Sequence, residues 1–273
     1  MGKVEVKKIG IFYKDDPYLV EVARELESFL KKKEIEVFKN GDFEKLKPDE
    51  SMIVISLGGD GTFLGASRIA MKLDASVLGI NLGNFGFLTD VEGMDVFIAV
   101  EKLLKGEFFI EERMSLSCEI NSDENQNYCA VNDFVIAKRI EDKILQVDIA
   151  VNGYKAGKFR SDGVVVSTST GSTAYSLSLG GPIIVPQAQV YELSFIAPHK
   201  LSARPLILSE TDVLELEIET DGAFAFLRDG LKVNELKKFD RLEFRKHDKN
   251  LKIVHLKGKN FFDVLNKKFG WGS

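Results

Sequence analysis

The sequence predicts an α/β domain followed by an antiparallel β-rich domain, with an aromatic C-terminal tail that packs back on the core. Three observations lead there. Apolar runs of strand length alternate with helically spaced apolar residues through the first hundred positions, and beyond Gly106 the runs become short and are separated by polar turns. Residues 261–271 then return to an apolar-aromatic pattern too rich in ring surface to be left in water. At 273 residues, with 44% hydrophobic and 29% charged, the chain is long enough for two domains with sizeable cores.

Ile9-Gly10-Ile11-Phe12-Tyr13 reads as the first buried strand. Asp15-Asp16-Pro17 supplies cap and first-turn residues for a helix in which Leu19, Val22, Ala23, Leu26, Phe29 and Leu30 recur at helical spacing. Lys31-Lys32-Lys33 reads as its solvated C-terminus, complementing the helix dipole. A strand at Ile35 to Phe38, a polar connection, the apolar run Met52 to Leu57, a second helical pattern and the strand Val77 to Ile80 complete a doubly wound α/β domain, placed at residues 1–105. Residues 106–257 form the second domain, sandwich-like, with strands expected at Phe108 to Arg113, Ser115 to Ile120, Tyr128 to Ala137, Leu145 to Val151 and Gly163 to Ser169. The tail, 258–273, is expected to dock through Phe261, Phe262, Leu265, Phe269 and Trp271.

Composition excludes several classes. The net charge is −5 and the basic residues are dispersed, which is no nucleic-acid footprint. No apolar stretch reaches the ~20 residues of a membrane span and no signal-peptide core opens the chain, so the reading is a cytoplasmic protein with no membrane or nucleic-acid partner. Cys118 and Cys129 have the spacing to face one another across a hairpin, but without a wider disulfide framework they read as free buried thiols. His199, His247 and His255 lack metal-ligand spacing with either cysteine, so no protein-built metal site is expected.

The chemistry concentrates at Gly58-Gly59-Asp60-Gly61-Thr62, directly after an apolar strand and before a helix. Glycines at such a turn let backbone amides approach an anionic ligand, and the helix dipole adds positive potential. The loop has neither the Gly-Lys-Ser/Thr end of a Walker A sequence nor a Gly-x-Gly-x-x-Gly pattern. Its carboxylate would repel a polyphosphate unless it holds a metal ion or takes a proton from an attacking hydroxyl, which points to phosphoryl transfer. The plainer alternative is a tight turn in which Asp60 caps the following helix. A second segment, Thr170 to Pro182, reads as a loop and short helix whose hydroxyls and amides are able to surround a polar ligand, or as an ordinary Ser/Thr-rich connection.

Taken together, these blocks resemble the NAD kinase family, which transfers the γ-phosphate of ATP to the adenosine-ribose 2′-hydroxyl of NAD to give NADP. The resemblance spans most of the chain and rests on Gly58 to Thr62, Gly79 to Thr89, Asn132-Asp133, Arg160-Ser161-Asp162-Gly163, Ser167 to Pro182, Leu201 to Leu206 and the Phe/Trp tail. The glycine loop alone is shared with related lipid kinases and, in variant form, with phosphofructokinases. The resemblance implies that Asp60 is the catalytic acid/base, with Gly61 beside the ligand, and that Asn132 and Asp133 hold the adenosine side of NAD. It further assigns Asp162, Thr173, Ala174, Tyr175, Ser178 and Ala197 to the pocket, with Arg160 and Lys143 at contacting positions where residue type varies. Mg2+, or another divalent cation, arrives with ATP, other nucleoside triphosphates or polyphosphate are further candidate donors, and the implied assembly is a homodimer or homotetramer. Leu231 departs from the family pattern, in which Gln or Asn follows the Asp-Gly pair at 229–230.

Two other functions remain on the sequence alone. A lipid kinase using the same loop would want a basic amphipathic helix, which the chain does not show. A non-catalytic NAD(P)-binding sensor would keep the pocket without needing Asp60.

Overall fold

The computed structural model describes residues 6–83, 86–89, 91, 96–121, 126–139, 141–256 and 260–270. They divide into two compact units, one built from Met1–Arg113 with Leu251–Ser273 and the other from Met114–Asn250.

The first unit carries a six-stranded sheet. In chain order its elements are β1 (Lys8–Tyr13), α1 (Pro17–Lys31), β2 (Glu36–Lys39), a 3-10 turn (Phe43–Lys45), β3 (Met52–Leu57), α2 (Asp60–Lys72), β4 (Ser76–Ile80), α3 (Val96–Leu104) and β5 (Phe109–Arg113). The spatial strand order is β2-β1-β3-β4, parallel throughout, so the chain reverses its winding between β1 and β3. Open α/β sheets bind ligands in the crevice outside such a reversal. Helix α1 starts as its sequence dictates: the Asp16 carboxylate accepts the N–H groups of Tyr18 and Leu19 at 3.0 and 3.1 Å, and Pro17 occupies the first turn. Every residue of β3 and β4 is buried, which is why both read as continuous apolar runs.

The second unit contains β6 (Leu116–Asn121), β7 (Gln126–Ala130), β8 (Asp133–Lys138), β9 (Leu145–Val151), β10 (Tyr154–Ser161), β11 (Gly163–Thr168), a 3-10 turn (Thr170–Thr173), α4 (Tyr175–Ser178), β12 (Val190–Ile196), β13 (Leu206–Ser209), β14 (Leu214–Ile218), β15 (Phe224–Arg228), β16 (Leu231–Leu236) and β17 (Arg241–Lys246). They form two antiparallel sheets, β10-β9-β14-β17-β6-β7 and β13-β12-β11-β8-β15-β16. The inner faces share one core. Phe134 of one sheet stacks on Phe226 at 5.5 Å and meets Phe244 of the other at 5.6 Å. Truncating a fully buried ring such as Phe244 to Ala costs ~3–5 kcal/mol.

Several expectations need correction. The domain boundaries at 105/106 and 257/258 fall elsewhere, because β5 and β18 (Leu251–His255) both join the first sheet, β18 parallel to β4 and antiparallel to β5. Strand periodicity reports which face is buried, not which sheet supplies the neighbour. A buried ionic cluster fastens this edge: His255 Nε2 lies 2.7 Å from Glu111, and Arg113 donates to the same carboxylate at 3.1 Å. Burial pushes the Glu111 carboxyl up, but His255 and Arg113 outweigh it and hold the group at about 2.

Tyr128 to Ala137 is two strands in different sheets, broken at 131–132. Cys118 and Cys129 are free, as expected, but do not face one another. Cys118 pairs with Tyr128 and Ser117 with Cys129, so the two thiols leave opposite faces of the ladder. The tail forms α5 (Phe261–Phe269), capped by the Asn260 side chain and ended by Gly270 in left-handed conformation. Its buried anchors are the aliphatic Val264 and Leu265, whereas Phe262 and Phe269 remain 46% and 47% exposed; Trp271 lies outside the described residues.

Candidate active site

The glycine loop sits at the carboxyl end of β3, on the winding reversal of the first unit. Gly58 has φ +138°, and a Cβ there would lie 2.6 Å from Thr62 Oγ1, so backbone conformation and space both demand glycine. Gly59 caps α2, and Asp60 is the first helical residue. Its carboxylate makes no cap to its own helix. It accepts the N–H of Phe87 at 2.9 Å and that of Leu88 at 3.1 Å, from the segment that follows β4. Two fixed donors from a distant stretch of chain hold the half-buried carboxylate and leave lone pairs for another donor, so Asp60 is not the cap of its own helix that the plain-turn alternative expects.

Gly86 makes this contact possible. A Cβ there would overlap Asp60 Oδ1 and approach Thr89 Oγ1 to 2.9 Å. Gly61 is exposed at the same place, with the Lys14 ammonium 3.5 Å from where its Cβ would be. Lys14 follows β1, the other strand at the winding reversal, and places positive charge beside the loop. Asn84 and Phe85 of the Gly79 to Thr89 block lie outside the described residues.

In the second unit, Asn132 and Asp133 occupy the turn where the chain passes from β7 into β8. Thr168 holds this turn twice: its N–H donates to Asn132 O at 2.9 Å and its hydroxyl to Val131 O at 2.7 Å. The same hydroxyl accepts the Gly171 N–H at 3.0 Å, and a Cβ on Gly171 would collide with Asn132 O. The Ser/Thr-rich segment is thus folded against the Asn-Asp turn. Asp133 is buried, with the backbone N–H of Tyr175 near its carboxylate. Burial first, and the Asp229 charge second, push its carboxyl up to about 7, opposed by that N–H. Among the described residues, Asn132 Oδ1 and Thr170 Oγ1 are buried without a hydrogen-bond partner, acceptors suited to a ligand. Thr173 and Ala174 are half-buried, and Tyr175 and Ser178 are exposed.

The remaining pocket residues gather elsewhere in the same unit. Asp133 pairs with Ser167 near the last residue of β11, whereas Asp162 precedes its first, so the two stand roughly 17 Å apart along the strand. Asp162 donates its N–H to Ile196 O at 2.8 Å, next to Ala197, whose φ is +43°. Arg160 O accepts the His199 N–H at 2.8 Å. Lys143 is exposed on the loop into β9, whose first residue Leu145 pairs with Ser161. The structure therefore brings Asn132, Asp133, Thr173, Ala174 and Tyr175 together at one end, and Lys143, Arg160, Asp162 and Ala197 at the other.

Sequence reasoning missed the Phe87 and Leu88 amides, Gly86, Lys14 and Asp229 as contributors. Backbone amides leave no residue-type signal, and Lys14 is marked only by following the strand before the reversal. Among the described residues no group of three or more His, Cys, Asp or Glu side chains is placed to hold a metal ion, and no helix is long and apolar enough to cross a membrane.

Comparison with known proteins adds the following. Residues 11–108 match the ATP-NAD kinase N-terminal domain and residues 131–256 the ATP-NAD kinase C-terminal domain. An NAD kinase of Syntrophotalea carbinolica is 36% identical over 283 residues, covering 98% of this chain and 99% of that protein. An NAD kinase of Thermoanaerobacter pseudethanolicus is 34% identical over 258 residues, covering 93% and 88%. Among solved structures, NAD kinase from Archaeoglobus fulgidus in complex with ATP aligns with a TM-score of 0.73 and 26% identity, covering 96% of this chain and 97% of that one. Yeast NADH kinase complexed with NADH aligns with a TM-score of 0.87 over 98% of this chain and 89% of that one; at 23% identity this likeness speaks to the fold.

Proposed function

The chain belongs to the NAD kinase family, and from that membership we propose how its own residues carry out the reaction. The activity is that of an NAD kinase: ATP donates a phosphoryl group, NAD accepts it and NADP leaves. Asp60 is the acid/base. It takes the proton of the adenosine-ribose 2′-hydroxyl as that oxygen attacks the γ-phosphate of MgATP, a role worth ~10²- to 10⁴-fold in rate. The observation that carries this assignment is the pair of N–H donors from Phe87 and Leu88, which fix the carboxylate at the helix start without using it as a cap. Positioning does most of the work in phosphoryl transfer, so a carboxylate aimed by fixed backbone amides suits the task. Gly61 and Lys14 lie beside it, the lysine offsetting the repulsion between carboxylate and polyphosphate.

Asn132 and Asp133 hold the adenosine side of NAD, with Thr173, Ala174, Tyr175 and Ser178 around it. The unpartnered Asn132 Oδ1 and Thr170 Oγ1 support this reading. Lys143, Arg160, Asp162 and Ala197 complete the pocket. Their place at the far end of β11 supports a homodimer or homotetramer in which a neighbouring copy presents them; light scattering during gel filtration tests the assembly. Mg2+ enters with ATP as part of the substrate, other nucleoside triphosphates or polyphosphate are secondary donors, and the enzyme works in the cytoplasm.

The deciding experiment uses a 2′-deoxyadenosine analogue of NAD with MgATP, followed by mass spectrometry and by inhibition kinetics against NAD. The analogue should compete with NAD, losing one hydroxyl contact, and should emerge without added phosphate. A phosphorylated analogue would place transfer at another hydroxyl and overturn both the pose and the role of Asp60.

A further inference from the structure

Asp229 lies outside every residue assigned above, yet its carboxylate is the acceptor on which the Asn132–Asp133 turn is built. Oδ1 receives the N–H of Val131 at 3.1 Å, of Asn132 at 2.7 Å and of Asp133 at 3.4 Å, and Oδ2 lies 3.3 Å from the Val131 nitrogen. The contact is reciprocated, because the Asp229 N–H donates to Asp133 O at 2.9 Å. Three consecutive amides converging on one carboxylate form an anion nest, here filled by a side chain of the protein itself. These are the amides left without ladder partners where the chain leaves β7 for β8 in the other sheet, and buried amides require an acceptor.

A local explanation competes with this. Asp229 and Gly230 have φ +47° and +76° and form the two-residue turn between β15 and β16, a position that favours Asp-Gly for conformational reasons alone. The turn preference accounts for the residue type. It does not account for a side chain that reaches back to residues 131–133, about 100 positions earlier in the chain. Asn and Gly would satisfy the turn equally well, but Gly would leave three amides without an acceptor.

We infer that Asp229 is a positioning residue for NAD: by collecting the Val131, Asn132 and Asp133 amides it fixes the turn that presents the Asn132 and Asp133 side chains to the nucleotide. This rests on the reading of Asn132 and Asp133 as the adenosine-side contacts. The direction of its effect follows from its place. Asp229 acts through the 131–133 amides, so its loss disorganises ground-state binding of NAD and leaves the chemical step and the donor alone.

The test compares Asp229→Gly and Asp229→Ser with Asp229→Asn and Asp133→Ala in the full-length enzyme, reading kcat, KM for NAD, KM for MgATP and amide exchange at Val131 and Asn132. Asp229→Gly keeps the turn and removes the acceptor, so KM for NAD should rise ~10-fold with kcat and KM for MgATP within ~3-fold, and the two amides should exchange faster. Asp229→Ser, whose hydroxyl is too short to serve three donors, should behave alike and stands in if the Gly variant does not fold. Asp229→Asn retains the turn and an acceptor oxygen, and should stay within ~3-fold of the parent. Gly and Ser variants with unchanged KM for NAD beside an Asp133→Ala variant with a raised one would overturn the role of Asp229 alone. An Asp133→Ala variant with unchanged KM for NAD would overturn the reading of the turn, and the inference with it. Equal changes in kcat and both KM values on losing Asp229 would reduce it to a fold-stabilising residue.

Discussion

The two carboxylates assigned to the nucleotide are treated in opposite ways by the backbone around them. Asp60, in the first unit, is half-buried and receives two amides directly, from Phe87 and Leu88. Asp133, in the second, is buried, has the Tyr175 amide near its carboxylate, and has a second carboxylate, Asp229, close enough to raise its proton affinity. The amides around Asp133 are spent on Asp229 instead. The contrast bears on the roles proposed for the two groups. A carboxylate fixed by direct donors is aimed, as a proton acceptor must be, whereas a buried one short of donors awaits hydrogen bonds from a ligand.

The largest effect expected on this contrast comes from removing the proton acceptor. Asp60→Asn keeps shape and amide contacts but lowers kcat by at least ~10²-fold with a much smaller change in KM for NAD. Steady-state kinetics checks it, and near-normal turnover would take Asp60 out of the acid/base role.

Next in size is Gly86→Ala, which leaves every acidic residue in place but drives a methyl into Asp60 Oδ1. With the carboxylate displaced from its amides, kcat should fall ~10-fold or more. Retained kcat would show that the amide anchoring of Asp60 is incidental.

Asp133 should fail in a different parameter. Asp133→Ala is expected to raise KM for NAD ~10-fold while kcat moves less, since a binding contact acts in ground and transition state alike. A large fall in kcat at unchanged KM would make the two carboxylates alike and break the comparison. Asp133 also carries a pH signature. Its carboxyl titrates at about 7 in the folded protein against 3.8 unfolded, so the stability it contributes is fully present below pH ~4 and is lost as pH rises through 7. Asp133→Asn should therefore raise the Tm by ~2 °C or more at pH 8 and leave it nearly unchanged at pH 4. Calorimetry at the two pH values decides, and equal shifts at both would remove the buried charge as the cause.

The smallest effect on catalysis is expected from the tail. The Phe269 ring lies 5.4 Å from that of Phe87, the residue whose N–H holds Asp60, and the Lys268 ammonium sits 4.8 Å from the same ring. Deleting residues from Phe261 onward removes this support together with the buried Val264 and Leu265, each worth ~1.5–3 kcal/mol. The truncated protein should lose several degrees of Tm and only a few-fold in kcat, and an unchanged midpoint would show that α5 is not docked.

The fold class was legible because its causes are local. β3 and β4 are buried on both faces and therefore apolar throughout, and the Asp16-Pro17 start of α1 is written in residue types that only a helix start uses well. The edge of the first sheet was not legible. Leu251–His255 has the alternation of any half-buried strand, and nothing within five residues says that its partners are β4 and β5. The break at 131–132 was hidden for a related reason, since Tyr128 to Ala137 is continuously strand-like while its hydrogen bonds change sheets midway.

At the site, the sequence by itself supplied the candidates: Asp60 from the chemistry of its glycine loop, the hydroxyl-rich segment that follows β11 from its residue types, and the Asn132-Asp133 pair from the family resemblance, since side chains are what a sequence records. Only the tertiary structure decided what holds them. The donors to Asp60 are the backbone amides of Phe87 and Leu88, the acceptor under the Asn132–Asp133 turn is a hairpin residue about 100 positions later in the chain, and the pocket residues fall into two groups at opposite ends of β11. Amides are common to every residue but proline, and long-range pairing is fixed by packing, so neither leaves a mark that a single sequence can show.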